Sequence, residues 1–591
     1  MHADLARAVD AAFEDDSETD LDELLARLGQ AIAAAPQDRA LRQLRLRLSE
    51  AIGLRELQIE DLSALVQADA DDLQSALTLA LHRHRWAGYL AAPAYDGNED
   101  EELDDAAAEA AAQAEEAQRL ALEQLSLQEL RRLAQHPKAD ADFVEQLLQG
   151  WQERVFGQDW SLLAIALRAG ARWPEAPALR RQRALAWASL AHQGPDFETP
   201  DERPPVGFAV DYAGGLHDPA LCRRAHQAVD AALAAQPQDA ELLDLRARLH
   251  LGLSDFAAAA QAFEAAAQTW RAQGDEDAAT ESADWARRCA AGRSALSDDL
   301  LGGLEEAVAR LGQGADSPPR SEAAAAFLAE MNENMARLRS ELEGQLAEAR
   351  PAIEAENSAP SAEELAELEA LAQTLAPKLA GLLAFEPLRC REAHPRAAEL
   401  HPRLAEFDAQ MQQLGFERLA WIEIQDYSER FGAITLTGVW PHPSGEATLL
   451  STAVAALQVS ELETEFSDGR QLITSQSRGR NYFGGGPQVD VLFVDASLPL
   501  EEVIELHRAR VAHELAHTPG LALRPWKNAA DFIAAQERQR QAKLAYRLAV
   551  GKDGWEARSV PVKHPEVFVP LMREAALAYV RDAQARHAGS A

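Results

Sequence analysis

Residues 513–517 read His-Glu-Leu-Ala-His. Two histidines four apart lie one above the other on a helical face, where both imidazoles can ligate a single metal ion. Glu514, between them, is then placed to take a proton from a metal-bound water, the general-base step of hydrolysis. The string is short. With 16 His in 591 residues and abundant acid, it arises by accident about once in 25 chains of this kind.

Glu537 lies twenty residues beyond His517, inside a second helix expected over Trp526–Val550. That arrangement resembles the thermolysin-like gluzincins. The resemblance implies a zinc site with His513, His517 and Glu537 as ligands and Glu514 as catalytic base. Three features depart from it. Gln541 stands where an Asp is usual, Arg508 and Arg510 crowd the helix, and Pro519-Gly520 ends it directly after His517. On a helical wheel Leu500, Ile504, Val511 and Leu515 form one stripe, and the two histidines point away from it beside Leu506 and Arg510. The reading adopted is a polar, partly solvated helix face, with zinc expected only if the motif is a metal site.

Other chemistry-bearing residues are sparser. Gly484-Gly485-Gly486 precedes Pro487 and a strand, not a helix whose N-terminus could hold phosphate, so a turn is expected. His82 and His84, beside Trp86 and Tyr89, read as a helix-surface cluster, and His442 lies in a loop between two prolines. Cys222, Cys289 and Cys390 are too scattered for a disulfide framework or a zinc finger. No GxSxG nucleophile elbow occurs.

The elements that would hold these residues follow from composition and period. A chain of 591 residues with 47% hydrophobic and 6% aromatic content is expected to hold several mostly helical units. A net charge of −39 argues against nucleic-acid binding. No signal peptide and no apolar run of membrane-spanning length is seen, so a cytoplasmic protein without membrane contact is expected.

Two segments repeat after 201 residues. Ala35-Pro36-Gln37-Asp38 leads into Leu41, Leu44, Arg45, Arg47 and Leu48; Gln236-Pro237-Gln238-Asp239 leads into Leu242, Leu245, Arg246, Arg248 and Leu249. Each reads as a helix end, a proline turn and a new amphipathic helix, the join of a helical solenoid. Around the second join, Ala225, Val229, Ala232 and Pro237, then Leu243, Ala247, Phe256, Ala259, Phe263 and Ala266, alternate small and bulky residues. This pattern resembles the tetratricopeptide repeat over about one and a half units of 34 residues. The resemblance implies antiparallel helix pairs whose groove takes a protein or peptide partner.

Asp96–Glu116 carries ten acidic residues and no Lys or Arg, and reads as a solvated linker or frayed helix. A boundary is expected at Gly312–Arg320, followed by a long helix over Ser321–Arg350 and another to about Leu383. From His394 onward, Ile, Val, Thr and aromatic residues predict strands at Leu419–Ile424, Gly432–Trp440, Ala447–Leu457, Glu461–Phe466, Gln471–Ser475 and Val489–Asp495. Ser467-Asp468-Gly469 reads as a hairpin turn, and Pro499–His517 as a helix. The run Leu462-Glu463-Thr464-Glu465-Phe466-Ser467-Asp468-Gly469, with Thr474-Ser475 and later Leu506-His507-Arg508, resembles a bacterial domain of unknown function.

The fold expected is therefore a mainly α helical-repeat array followed by an α+β domain with an antiparallel sheet and helices on one side. The segments are a helical 1–95, an acidic linker 96–117, a tetratricopeptide-like 118–311 (clearest over 220–270), a connector 312–390 and the α+β domain 394–591. The function expected is a non-catalytic interaction scaffold, with a zinc metallopeptidase using residues 513–517 as the alternative.

Overall fold

The computed structural model describes residues 2–14, 21–90, 105–154, 159–192, 209–210, 216–217, 219–253, 255–291, 360–382, 389–394, 402–431, 434–454, 457–476, 486–495, 497–550 and 564–590. The boundary at 312–320, the helix expected over 321–350, and Gly484 and Gly485 lie outside them. The chain divides into two compact units, Met1–Gln182 and Arg183–Ala591. No helix among the described residues is long and apolar enough to cross a membrane.

The first unit is helical: α1 (His2–Glu14), α2 (Leu21–Ala34), α3 (Arg39–Ile52), α4 (Arg55–Ala68), α5 (Leu73–Leu90), α6 (Asp105–Ala134), α7 (Ala141–Arg154) and α8 (Asp159–Arg172), with the division falling inside α9 (Pro177–His192). Leu5, Val9, Leu24, Leu28, Leu41 and Leu48 form one core beneath α1–α3. The expected linker is partly structured, because α6 begins at Asp105 within the acidic run. Alanine separates its acids, and Ala is the strongest helix former. Arg45 is buried and grips Asp61 with two bonds of 2.7 Å, Nε to Oδ2 and Nη2 to Oδ1. His84 is buried rather than on the helix surface, and burial lowers its pKa.

The second unit opens with the rest of α9, from Arg183, and then β1 (Ala209–Val210) and β2 (Leu216–His217), an antiparallel pair. It continues with α10 (Pro219–Ala235), α11 (Ala240–Gly252), α12 (Phe256–Gln273) and α13 (Glu276–Ala291), each packed on the next. The repeated join is chemically the same at both sites. Asp38 caps α3 at φ −77°, ψ 102° and accepts from the Leu41 amide at 3.2 Å. Asp239 caps α11 at φ −80°, ψ 103° and accepts from the Leu242 amide at 3.0 Å. An Asp N-cap satisfies an amide the helix cannot, so this sequence starts a helix wherever it occurs. Ala247, Ala259, Ala262 and Phe263 pack against Ala286 and Cys289, and Phe263 stacks on Trp285 at 6.0 Å. Alanine on both helices lets the backbones approach closely, and the Phe fills the remaining groove.

Among the described residues seven strands follow in sequential order: β3 (Cys390–Glu392), β4 (Ala420–Ile424), β5 (Leu436–Pro441), β6 (Thr448–Val454), β7 (Leu457–Glu465), β8 (Gln471–Ser475) and β9 (Val489–Phe493). The pairs β3 to β8 are antiparallel, but β8 and β9 run parallel, so the sheet is mixed. The stretch expected as one strand over Ala447–Leu457 holds the whole of β6 and the first residue of β7, which pairs antiparallel with it.

The helices around the sheet are α14 (Ala362–Leu382), α15 (Pro402–Gln413), α16 (Gln425–Phe431), α17 (Leu500–His517), α18 (Ala529–Val550) and α19 (Pro565–Ser590). They cover both faces of the sheet, not one. Ala420, Ile422, Val439 and Leu450 pack under Phe532 and Ala535 of α18 and under Trp526. On the opposite face Phe466 and Leu472 pack under Val511 of α17, and Trp440 meets Phe407 and donates Nε1–H to Asp408 of α15 at 2.7 Å. Leu368, Ala372 and Ala376 of α14 pair with Phe568, Met572 and Ala576 of α19 in a separate core.

Candidate functional site

Helix α17 carries the His-Glu-Leu-Ala-His string in its final turns. It ends at Thr518, whose extended backbone (φ −118°, ψ 100°) still donates its amide to the Glu514 carbonyl, and Gly520 then turns the chain at φ 79°. The two imidazoles do come together, with ring centroids 4.0 Å apart. One ring is covered by a cation, and the other spends one nitrogen on the backbone. His517 is exposed and its Nδ1 donates to the His513 carbonyl at 2.8 Å. One Nη of Arg183, from α9, lies 3.0 Å from Nε2 and 3.3 Å from Nδ1 of His513. Burial, then the Arg183 charge and His517, push the His513 pKa down to about 3.

Glu514 accepts from Arg470 Nη1 at 2.9 Å, and Arg470 also holds Asp468 at 2.7 Å. Glu537 accepts from Arg540 at 2.7 and 2.8 Å and from Gln541 at 2.7 Å, and Arg540 lowers its pKa. The structure thus brings His513 and His517 together, turns Glu514 to an arginine, and leaves Glu537 elsewhere. The physical reason is the sheet: α17 packs on one face and α18 on the other. Among the described residues no group of three or more His, Cys, Asp or Glu is placed to hold a metal ion.

Beneath α17 lies a polar network that the sequence reading did not assemble. His507 is fully buried between two threonine hydroxyls, Thr464 at 2.9 Å from Nε2 and Thr474 at 3.0 Å from Nδ1. Thr464 donates its hydroxyl proton to the Glu446 carbonyl, so it accepts from His507 Nε2–H. Thr474 accepts from Arg510 Nη1 at 2.7 Å and has its own proton left for Nδ1. The network therefore fixes a neutral tautomer, and burial, followed by Arg510 and Arg508, holds the His507 pKa well below the usual histidine value.

Arg510 also donates to the Ile473 carbonyl at 2.6 Å and to Asp490 at 2.8 Å. Burial lowers its pKa to about 10, which leaves it cationic at neutral pH. Arg224 of α10 grips the other oxygen of Asp490 and donates to the Val491 carbonyl at 2.7 Å. Burial alone would raise the Asp490 pKa, but the two guanidiniums outweigh it and hold the carboxyl below the ordinary range.

The opposite face of β7 is acidic and covered. Glu463 accepts from Gln536 at 2.6 Å and Gln539 at 3.3 Å, and Lys543 donates to Gln539 at 2.9 Å. Burial, then neighbouring Glu461, raises the Glu463 pKa to about 7. Glu465 accepts from Arg538 at 2.8 and 3.0 Å and from Trp526 Nε1 at 2.8 Å. A carboxyl that titrates near neutrality suits acid–base work. Glu463, however, is 3% exposed with both oxygens taken by amides, so it serves packing in this arrangement. The sequence did carry a sign of it. Glu461, Glu463 and Glu465 share one strand face, and α18 supplies Gln536, Gln539 and Lys543 at helical spacing to meet it.

No protein-family model matches this chain, and no curated protein is detectably similar to it.

Proposed function

We propose that the protein is a non-catalytic interaction scaffold of the tetratricopeptide type, whose helical array receives a protein or peptide and whose mixed-sheet domain is a second module. The observation that carries this reading is the α10–α13 stack. Ala225, Val229, Ala232, Ala247, Ala259, Phe263 and Ala266, the small and bulky positions of the repeat pattern, are all fully buried. The engagement of Glu514 by Arg470 and of His513 by Arg183 supports the same reading, since neither side chain is left to act on a substrate.

The test uses the full chain as bait in a native extract, beside a variant carrying Arg248→Glu and Glu281→Arg. These residues lie 3.6 Å apart on α11 and α13, so the double reversal exchanges the two charges and also removes the Arg248–Asp244 pair at 2.7 Å; circular dichroism establishes that the variant is folded. A partner retained by the wild type and lost by the variant is the expected result. A chain that retains no partner, yet cleaves peptides in a zinc-dependent way, would overturn the proposal.

A further inference from the structure

A second histidine pair lies in the helical array, apart from α17. His226 of α10 and His250 of α11 bring their Nε2 atoms within 2.8 Å, with rings inclined at 76° and centroids 4.3 Å apart. Each ring has a carboxylate behind it. Asp230 Oδ2 lies 3.1 Å from His226 Nδ1, and Asp255 Oδ2 lies 3.8 Å from His250 Nδ1. The Asp230 carboxylate at Nδ1 of His226 favours the tautomer with its proton there, which leaves His226 Nε2 bare, as in the carboxylate–histidine–metal arrangement. His250 Nε2–H can donate to it, and a divalent ion can take that proton's place between the two nitrogens.

We propose that His226 and His250 form a two-imidazole binding site for a divalent ion of the copper(II) and nickel(II) class. Two ligands at right angles, each about 2.0 Å from one ion, stand about 2.8 Å apart, whereas a tetrahedral ion would spread them to about 3.3 Å. The observed separation thus fits the cis edge of a tetragonal ion. Both side chains are 20% exposed, so water can fill the remaining positions. Arg246 lies 3.8 Å from Asp230 Oδ1, on the oxygen that does not face His226, and offsets one of the two carboxylate charges. The bound ion would tie α10 to α11 and, through Asp255, to the start of α12.

The test is titration of the full chain with copper(II), followed by calorimetry and by electron paramagnetic resonance. The expected result is one ion per chain with hyperfine structure from two nitrogens, lost in His226→Ala and in His250→Ala and retained in His513→Ala/His517→Ala. Asp230→Asn keeps both imidazoles and is expected to weaken binding about tenfold. Circular dichroism establishes that each variant is folded. Binding lost only when His513 and His517 are removed, or an affinity unchanged in the His226, His250 and Asp230 variants, would overturn the assignment.

Discussion

Arg183 and His513 are 330 residues apart in sequence, yet a guanidinium nitrogen of the first lies 3.0 Å from Nε2 of the second. The cation packs over the imidazole ring, where its charge repels a second cation at this histidine. It also explains the charge state, because a neighbouring positive charge and burial both disfavour the imidazolium. His513 is therefore expected to stay neutral down to about pH 3, and Arg183→Gln to shift its midpoint upward. Proton NMR of the His513 ring measures this directly. A wild-type midpoint near the ordinary 6.5 would refute the arrangement. For the same reason zinc content by elemental analysis is expected to be equal in the wild type and in His513→Ala/His517→Ala.

Glu463 gives a stability prediction of definite sign. Its folded pKa, about 7, lies above the 4.5 of an ordinary glutamate side chain. The folded state binds the proton more tightly, so this contribution is complete below about pH 4.5 and disappears as pH rises through 7. Glu463→Gln removes the charge and keeps the acceptor for Gln539, while the Gln536 amide turns to accept from the new NH2. It is expected to stabilise the protein by roughly 3 kcal/mol at pH 8 and to change little at pH 4.5. Urea unfolding at the two pH values tests it; an equal effect at both would show that the carboxyl is ionised throughout.

Asp490 runs the other way. Its depressed pKa means stability that is present above about pH 4, the unfolded carboxylate value, and lost as pH falls below it. Asp490→Asn leaves Arg224 and Arg510 facing each other without the intervening anion. The expected loss is about 1–3 kcal/mol at pH 7, less than for a dry ion pair because Asp490 is 38% exposed. Acid unfolding of the variant should also show a shallower slope below pH 4. A variant with wild-type slope and midpoint would remove Asp490 from the account.

Phe263 fills the space between α12 and its neighbours and is fully buried against Trp285. Phe263→Ala is expected to cost about 3–5 kcal/mol, because the surrounding alanines are too small to collapse into the cavity. Hydrogen exchange should show α11–α13 opening first, with the sheet amides still protected. Uniform loss of protection would mean that the array and the sheet unfold as one.

What could be read from the sequence was local chemistry. The Pro-Gln-Asp joins at 36–38 and 237–239 start helices because an Asp cap satisfies amides within its own turn. The Ser467-Asp468-Gly469 hairpin turn was visible because Gly469 adopts φ 85°, a conformation that glycine accommodates without strain. The α12 positions Ala259, Phe263 and Ala266 were legible because helical period decides which residues share a face. The parallel β9 was not, since a strand's own residues do not say in which direction its neighbour runs. Nor did the spacing of Glu537 from His517 reveal that a sheet stands between their helices.

The same limit governs the polar network. Glu463 and Thr464 are adjacent in sequence, and the alternation of a strand sends them to opposite faces. One meets the glutamines of α18 and the other meets His507 of α17. The chain specified that these two side chains diverge. Only the tertiary structure, by covering both faces, decided that each is buried, which partner it finds and how its proton is held, because burial and partners belong to the elements packed above and not to the strand.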